Sequence, residues 1–371
     1  MILILIKVGN ENETMTRLLI TTISLFFFVL PTQAAKNLTW DSPEKLRMRG
    51  QVYFNATRSA QGEKYLLTQQ LSNIKLYSDF IFTPETELHT LLIYNSAPTP
   101  ITPELYFDEA YLALTKSTLL PHYYMHIGKK WLPFGIYKND LIYKPLSKAL
   151  GQTNAYNITL GYDHKYYANI ALFLMKSPTS ANLPGHNINF GLHDEYENFT
   201  YDIGASYISS SAESELYQYN KGFGGFLGER IHSRVPGFAT YTNLNYKNIS
   251  TYITYVTAIH AFKPNELSYQ NHGAKPAALS IQSAYHLHTN FVKADIIGLY
   301  DQSFQALALQ LPKRRLGMGI NIFPNRHTEI QFEYYKDYAY KNSVTASGLN
   351  YAMTGRSKVT DTYALQLIVN F

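Results

Sequence analysis

Basic side chains gather at three places along the chain where an anion could meet them. The segment 132–153, LPFGIYKNDLIYKPLSKALGQT, carries Lys138, Lys144 and Lys148 against a single acid, Asp140. Arg47 and Arg49 alternate within KLRMRGQVYFNA, with Lys75 in the next patterned segment, and Lys313, Arg314 and Arg315 stand in a row. Guanidinium forks hold carboxylate or phosphate oxygens two at a time, whereas an ammonium acts as a point charge. A ladder of such groups suits an anionic solute. Taken singly, each could instead pair with an acid such as Asp79, Glu87, Asp108, Glu109 or Glu333 and serve only the structure.

Other chemistries find little support. The twelve histidines are scattered, and His286 and His288 share a face with no carboxylate at ligand spacing, so neither a metal site nor a cofactor is expected. With no cysteine in the chain, disulfides, thiolate metal sites and cysteine nucleophiles are excluded together. There is no GxSxG, Walker A or HExxH, so no enzymatic activity is expected. A Ser-His-acid triad would have to be assembled across strands, and local sequence does not signal one. The stretch Gly222–Gly228 reads as a flexible loop, long enough to be a lid or a ligand contact.

The elements that must position these groups are strands. In 45–56, Leu46, Met48, Val52 and Phe54 fall on one face and Arg47, Arg49, Gln51, Tyr53 and Asn55 on the other. At the far end, 360–371 puts Tyr363, Leu365, Leu367, Val369 and Phe371 on one face. Fourteen further segments show the pattern: 74–82, 87–95, 106–115, 122–131, 154–163, 166–175, 187–195, 198–208, 238–246, 248–258, 277–286, 289–300, 314–323 and 327–336. Each is near the nine to eleven residues that a tilted transmembrane strand requires. Long connections (57–73, 96–105, 132–153, 176–186, 209–237, 259–276, 301–313, 337–359) alternate with mostly short ones, such as Tyr196–Glu197 and Lys247.

That rhythm predicts an all-β fold: a transmembrane antiparallel β-barrel of about 16 strands in a bacterial outer membrane, with both termini periplasmic. Hydrocarbon leaves no backbone group without a partner, so the barrel must close. The 32 tyrosines and 20 phenylalanines fit aromatic girdles at the two interfaces. Residues 1–35 read as a signal peptide: Arg17 before an apolar run at Leu18–Leu30, then a small-residue cleavage site at Ala34-Ala35. Met15 begins a complete signal on its own, which marks 1–14 as a start-codon artefact and leaves 36–371 as the barrel. Sixteen strands enclose an aqueous lumen, and Lys36–Glu44 is too short for an N-terminal plug. In sixteen-stranded porins the third outside loop folds inward. Here that loop would be 132–153, a basic constriction selecting anions, with Arg47, Arg49, Lys75, Lys313, Arg314 and Arg315 lining the pore. Arginine facing lipid at mid-membrane costs about 2–4 kcal/mol, so its parity assigns Leu46, Met48 and Val52 to lipid.

Several segments resemble the LbtU family of siderophore porins: GKKWLPFG at 128–135, PLSKALGQT at 145–153, VPG at 235–237, GAKP at 273–276 and ALALQLPKRR at 306–315. The resemblance runs from about residue 50 to the end, in order and spacing. It implies a plug-less outer-membrane barrel that takes up an iron–siderophore, an anionic chelate, with no cofactor of its own. One departure is Gln152, where the family usually has glutamate after LG. The implied partners are a ferric siderophore or small anionic solute, outer-membrane lipid and the barrel-insertion machinery, with no nucleic acid. A homotrimer is the assembly common among sixteen-stranded porins. The alternatives are a general anion-preferring diffusion porin and, from another class, an outer-membrane lipase.

Overall fold

The computed structural model describes residues 45–61, 64–99, 102–117, 120–177, 183–218, 226, 231–232, 234–289 and 293–371. The signal-peptide segment, and all of Gly222–Gly228 except Phe226, lie outside the described residues. In chain order the strands begin β1 Lys45–Gln61, β2 Lys64–Thr83, β3 Thr86–Asn95, β4 Leu105–Ser117 and β5 Leu120–Trp131. They continue as β6 Asn154–Tyr162, β7 Tyr166–Phe173, β8 Gly185–Tyr196, β9 Phe199–Ile208, β10 Gly237–Tyr246 and β11 Ile249–Ala258. Two short pieces follow, β12 Ser268–Tyr269 and β13 His272–Gly273, before β14 Ala277–His288, β15 Lys293–Phe304, β16 Arg314–Asn325 and β17 Thr328–Tyr338. The series ends with β18 Thr345–Ser347, β19 Ala352–Thr354 and β20 Val359–Asn370.

Sixteen of these form one closed antiparallel barrel, ordered as in the chain, with β20 against β1. The other four make a small sheet, β13-β12-β18-β19, outside it. The seam is finished by the last residue: the Phe371 amide donates to the Gly50 carbonyl at 3.0 Å, and Gly50 N–H donates back to the Phe371 carbonyl at 2.8 Å. The Phe371 ring covers Gly50, where a Cβ would lie 2.2 Å from the ring. Only glycine fits that contact.

Period two is expressed inside out. On β8, Ile188 and Phe190 point outward at 47% and 57% exposure, while Asn187 and Asn189 point inward at 0% and 4%. A soluble sheet would do the reverse; apolar exterior and polar interior are what lipid around and water or polar groups within require. Both buried amides hydrogen-bond within the wall, although Asn187 Oδ1 is left without a partner among the described residues. Asn187 Nδ2 donates to the Tyr207 carbonyl at 2.8 Å, and Asn189 Oδ1 accepts from Ser206 at 2.6 Å and from Tyr241 at 2.8 Å.

Short turns join the strands at one end of the barrel. In two of them Glu197 (φ 51°) and Lys247 (φ 52°) take the left-handed conformation that tight hairpins use. Long connections crowd the other end. There Leu132, Phe134, Leu146, Leu150, Phe226, Ile231, Val235, Phe262, Leu267, Leu307, Leu309 and Tyr340 pack into a single apolar core with the upper barrel wall. Two short helices, α1 Leu146–Gly151 and α2 Glu215–Gln218, belong to this layer. Two boundaries differ most from the sequence reading. The span 57–73 is mostly strand, because β1 and β2 run on to Gln61 and from Lys64, and the strand expected at 289–300 occupies Lys293–Phe304.

Candidate pore constriction

The loop 132–153 folds into the barrel. Its local chemistry favours this. Pro133, Gly135 (φ 76°) and Pro145 break strand continuation, and Leu132, Phe134, Leu141, Leu146 and Leu150 are all buried. Leu141 packs with Ala284, Ile297 and Leu299 on the inner wall. It also sits on Gly319, where an added Cβ would come within 2.4 Å of Leu141 Cδ2. Polar side chains from six strands then fasten the loop backbone. Ser206 Oγ accepts from Gly135 N–H at 2.9 Å, Thr254 donates to the Ile136 carbonyl at 2.9 Å, and Asn321 Nδ2 donates to the Asp140 carbonyl at 2.7 Å. Glu333 accepts from Tyr143 N–H at 3.1 Å, Asp301 from Leu146 N–H at 3.3 Å, and Ser280 Oγ from Ser147 N–H at 3.0 Å. A carboxylate taking an amide is a charge-assisted bond, about twice as strong as a neutral one. Tyr143 reaches across to Thr57 of β1 at 3.3 Å.

The expected site residues divide into those this arrangement brings together and those it does not. Lys75 shares the inner face with Arg47, Arg49 and Tyr53, by the register Gln51↔Lys75 and Arg49↔Tyr77. Its ammonium lies 4.6 Å from the Tyr53 ring centre, and Arg49 stacks over Tyr77 at 4.6 Å. Lys144 and Lys148 face Lys75 from the loop. Burial first, and then the charges of Lys144 and Lys75, push Lys148 down to about 8. The three ammonium groups thus lie near enough across the gap between loop and wall to feel one another's charge, with the Asp108 and Glu215 carboxylates acting on the same group of lysines. Lys144 also meets Glu215 of α2 at 3.3 Å, with its side chain still 54% exposed.

Lys138 instead lies over the Tyr252 ring at 5.3 Å, and Asp140 accepts from Gln282 at 2.8 Å. Strand alternation divides the basic row at 313–315 between the two faces of the wall. Arg314 points outward and stacks on Tyr338 at 4.3 Å, while Lys313 sits at the rim, donating to the Ser303 carbonyl at 3.1 Å. Arg315 does point inward, but Asp337 holds it through bonds of 2.7 and 2.9 Å, and its spare N–H donates to the Lys144 carbonyl at 3.4 Å. It is a bracket for the loop.

Two clusters escaped the sequence because their members meet across strands. Asp79, Glu87 and His89 have ligand atoms within 4.8 Å of one another, and Glu109 lies 3.4 Å from His89 Nε2. His89 Nδ1 is 2.6 Å from Asp79, so the imidazole bridges two carboxylates. Further round, Asp295 lies 2.7 Å from His286 Nδ1, and Ser250 Oγ 3.0 Å from Nε2. The carboxylate missing at sequence spacing for His286 comes from the neighbouring strand. The order of groups is that of a hydrolytic triad, but Ser250 is 1% exposed, closed off from any substrate, and acts here as a strand clamp.

No family model matches the chain. It is similar to a UPF0422 protein of Coxiella burnetii, 29% identical over 256 residues, covering 66% of this chain and 54% of that one. A UPF0422 protein of Legionella pneumophila strain Lens is 28% identical over 268 residues, covering 67% and 50%. The chain spans about half the length of the curated relatives it matches. Among solved structures it is similar to OprB of Pseudomonas putida (TM-score 0.57, 6% identity, 88% of this chain and 94% of that one). It is also similar to a structure described as an anion-selective porin from Comamonas acidovorans (TM-score 0.56, 7% identity, 88% and 99%). The fold is that of the outer-membrane porins. The segments that resemble the siderophore porins, far apart in sequence, converge: Leu132, Phe134, Leu146, Leu150, Val235, Ala274 and Ala306–Leu309 all enter the one core beneath the long loops.

Proposed function

We propose that this chain is an outer-membrane porin that admits a small anionic solute, and more specifically an iron–siderophore chelate, with both termini in the periplasm. One observation carries the reading: Lys144 and Lys148, on a loop folded into the lumen, face Lys75 on the opposite wall. Fixed cations in a narrow aqueous gap favour anions by the same field that operates in charged pore rings. The solute would be gathered at the long loops, pass the three lysines, and be released to a binding partner at the short-turn end. No covalent chemistry is required. The siderophore reading is supported by the motif resemblance, which follows the loop core and with it the walls of the entrance. The porin of Comamonas acidovorans described as anion-selective shares the fold, which is consistent with the general part of the reading.

The test is uptake of radiolabelled iron by a strain deleted for the gene, with and without complementation, across a panel of ferric chelates. Saturable uptake that returns with the gene is expected for at least one polycarboxylate chelate. Uptake unchanged for every chelate would end the siderophore reading and leave a general anion-preferring porin.

A further inference from the structure

The four-stranded sheet outside the barrel has a hollow face. β12 and β13 come from the connection between β11 and β14, while β18 and β19 come from that between β17 and β20. They are joined across the two connections at Ser268↔Ser347, where the hydroxyls lie 2.6 Å apart and Ser347 N–H donates to Ser268 Oγ at 3.0 Å. Ala346 and Met353 fix the underside to the loop core, and the Tyr340 ring packs against Tyr269 at 6.1 Å. Above this support lies a cavity of about 880 Å³. That is the size of pocket that takes a small organic molecule. Hydroxyls of Ser268, Thr345, Ser347 and Thr354 and amides of Asn271 and Gln310 line it, and Arg356 is its one charged group. Among the described residues no carboxylate and no hydrogen-bond acceptor meets the Arg356 guanidinium. Gln310 holds φ 59° at the rim, the left-handed conformation that closes the turn there.

We propose that this cup is a docking site for a hydroxyl-rich organic solute bearing one oxyanion, with Arg356 taking the anion and the hydroxyl and amide rim taking the remainder. It rests on the solute-uptake reading above and adds where capture first occurs, outside the constriction. Arg356 suits the role because its fork can hold both oxygens of a carboxylate or two of a phosphate. The uncharged rim limits the ligand to one strong anionic contact, unlike the three-lysine gap.

The probe is lactobionate, a disaccharide acid with a single carboxylate, set against lactitol, its neutral counterpart. Titration calorimetry on the purified, detergent-solubilised full chain should show saturable lactobionate binding, with lactitol weaker by about tenfold or more. Arg356→Gln should lose about the same factor, and Ala352→Trp, which fills the cup from an exposed position, should abolish binding. Both variants should keep the wild-type reversal potential in planar bilayers. Absence of saturable lactobionate binding, equal binding of lactitol, or unchanged affinity in Arg356→Gln would each overturn the site. Failure of the pore reading shows separately, as a reversal potential without anion preference in the wild type.

Discussion

The two walls of the lumen are built from different chemistry. Along β1–β5 the inward residues are ionisable or aromatic (Arg47, Arg49, Tyr53, Lys75, Tyr77, Asp79, His89, Glu109, Tyr111, Lys130) and none of those is fully buried. Along β8–β17 they are mostly small neutral amides and hydroxyls, such as Asn187, Asn189, Ser206, Asn243, Ser280, Gln282 and Asn321, and those are buried. The difference comes from the folded-in loop, which lies on the second wall and uses its hydrogen bonds. One wall holds the loop and the other faces the lumen. Arg315 on the holding wall is neutralised in place by Asp337, whereas Arg47 and Arg49 on the facing wall remain exposed beside the bridged Asp79–His89–Glu109 cluster. A basic residue therefore says little about selectivity until its wall is known.

Breaking the division should have its largest effect at the contact that seats the loop. Gly319→Val would place carbon where Leu141 now lies and within 3.2 Å of the Phe332 carbonyl, displacing a buried leucine whose burial is worth about 2 kcal/mol. With the barrel still folded by heat-modifiable migration, single-channel conductance should rise several-fold and ion preference should fall. Unchanged conductance would mean the loop does not set the bore. A smaller effect is expected from replacing Arg47 and Arg49 with glutamate. Arg47 already lies opposite Asp79 and Arg49 is stacked, so anion preference should weaken without loss of insertion, read as a modest shift in reversal potential.

Smaller again is a dependence on pH. Lys148, lowered to about 8, is charged below that value and neutral above it. Anion preference should thus decline between pH 7 and pH 9, and Lys148→Gln should flatten the decline by removing the group that titrates. The smallest effect concerns the loop layer. Glu213 accepts from the amides of Lys176 at 2.5 Å and Ser177 at 3.1 Å, yet burial raises its carboxyl to about 7. Because the folded value lies above the usual one, its contribution favours the fold at low pH and is lost as pH rises through 7. Glu213→Gln should slow tryptic cleavage after Lys176 relative to wild type at pH 8 and change it little at pH 6.

The sixteen barrel strands were legible because lipid on one side and polar groups on the other write period two into each crossing. Legibility stopped where that boundary stops. The span 57–73 breaks the alternation, with the polar run Gln61-Gly62-Glu63-Lys64 and the like pairs Leu66-Leu67 and Gln69-Gln70, and so reads as a loop although β1 and β2 continue through most of it. The lysines of 132–153 were visible, but the wall they face depends on cross-strand register. Asp337 is 22 residues from Arg315, and Asp295 is on the strand after His286, so neither pairing has a local signature. For the same reason the row Lys313-Arg314-Arg315 looked like one patch, while strand alternation sends Arg314 and Arg315 to opposite faces.

The most direct measurement is the reversal potential of the purified protein in planar bilayers under a potassium chloride gradient, for wild type and for Lys75→Glu, Lys144→Glu and Lys148→Glu combined. Wild type should prefer chloride and the triple variant should shift decisively toward potassium. An identical potential for the two would contradict the claim that these three lysines form the selective gap.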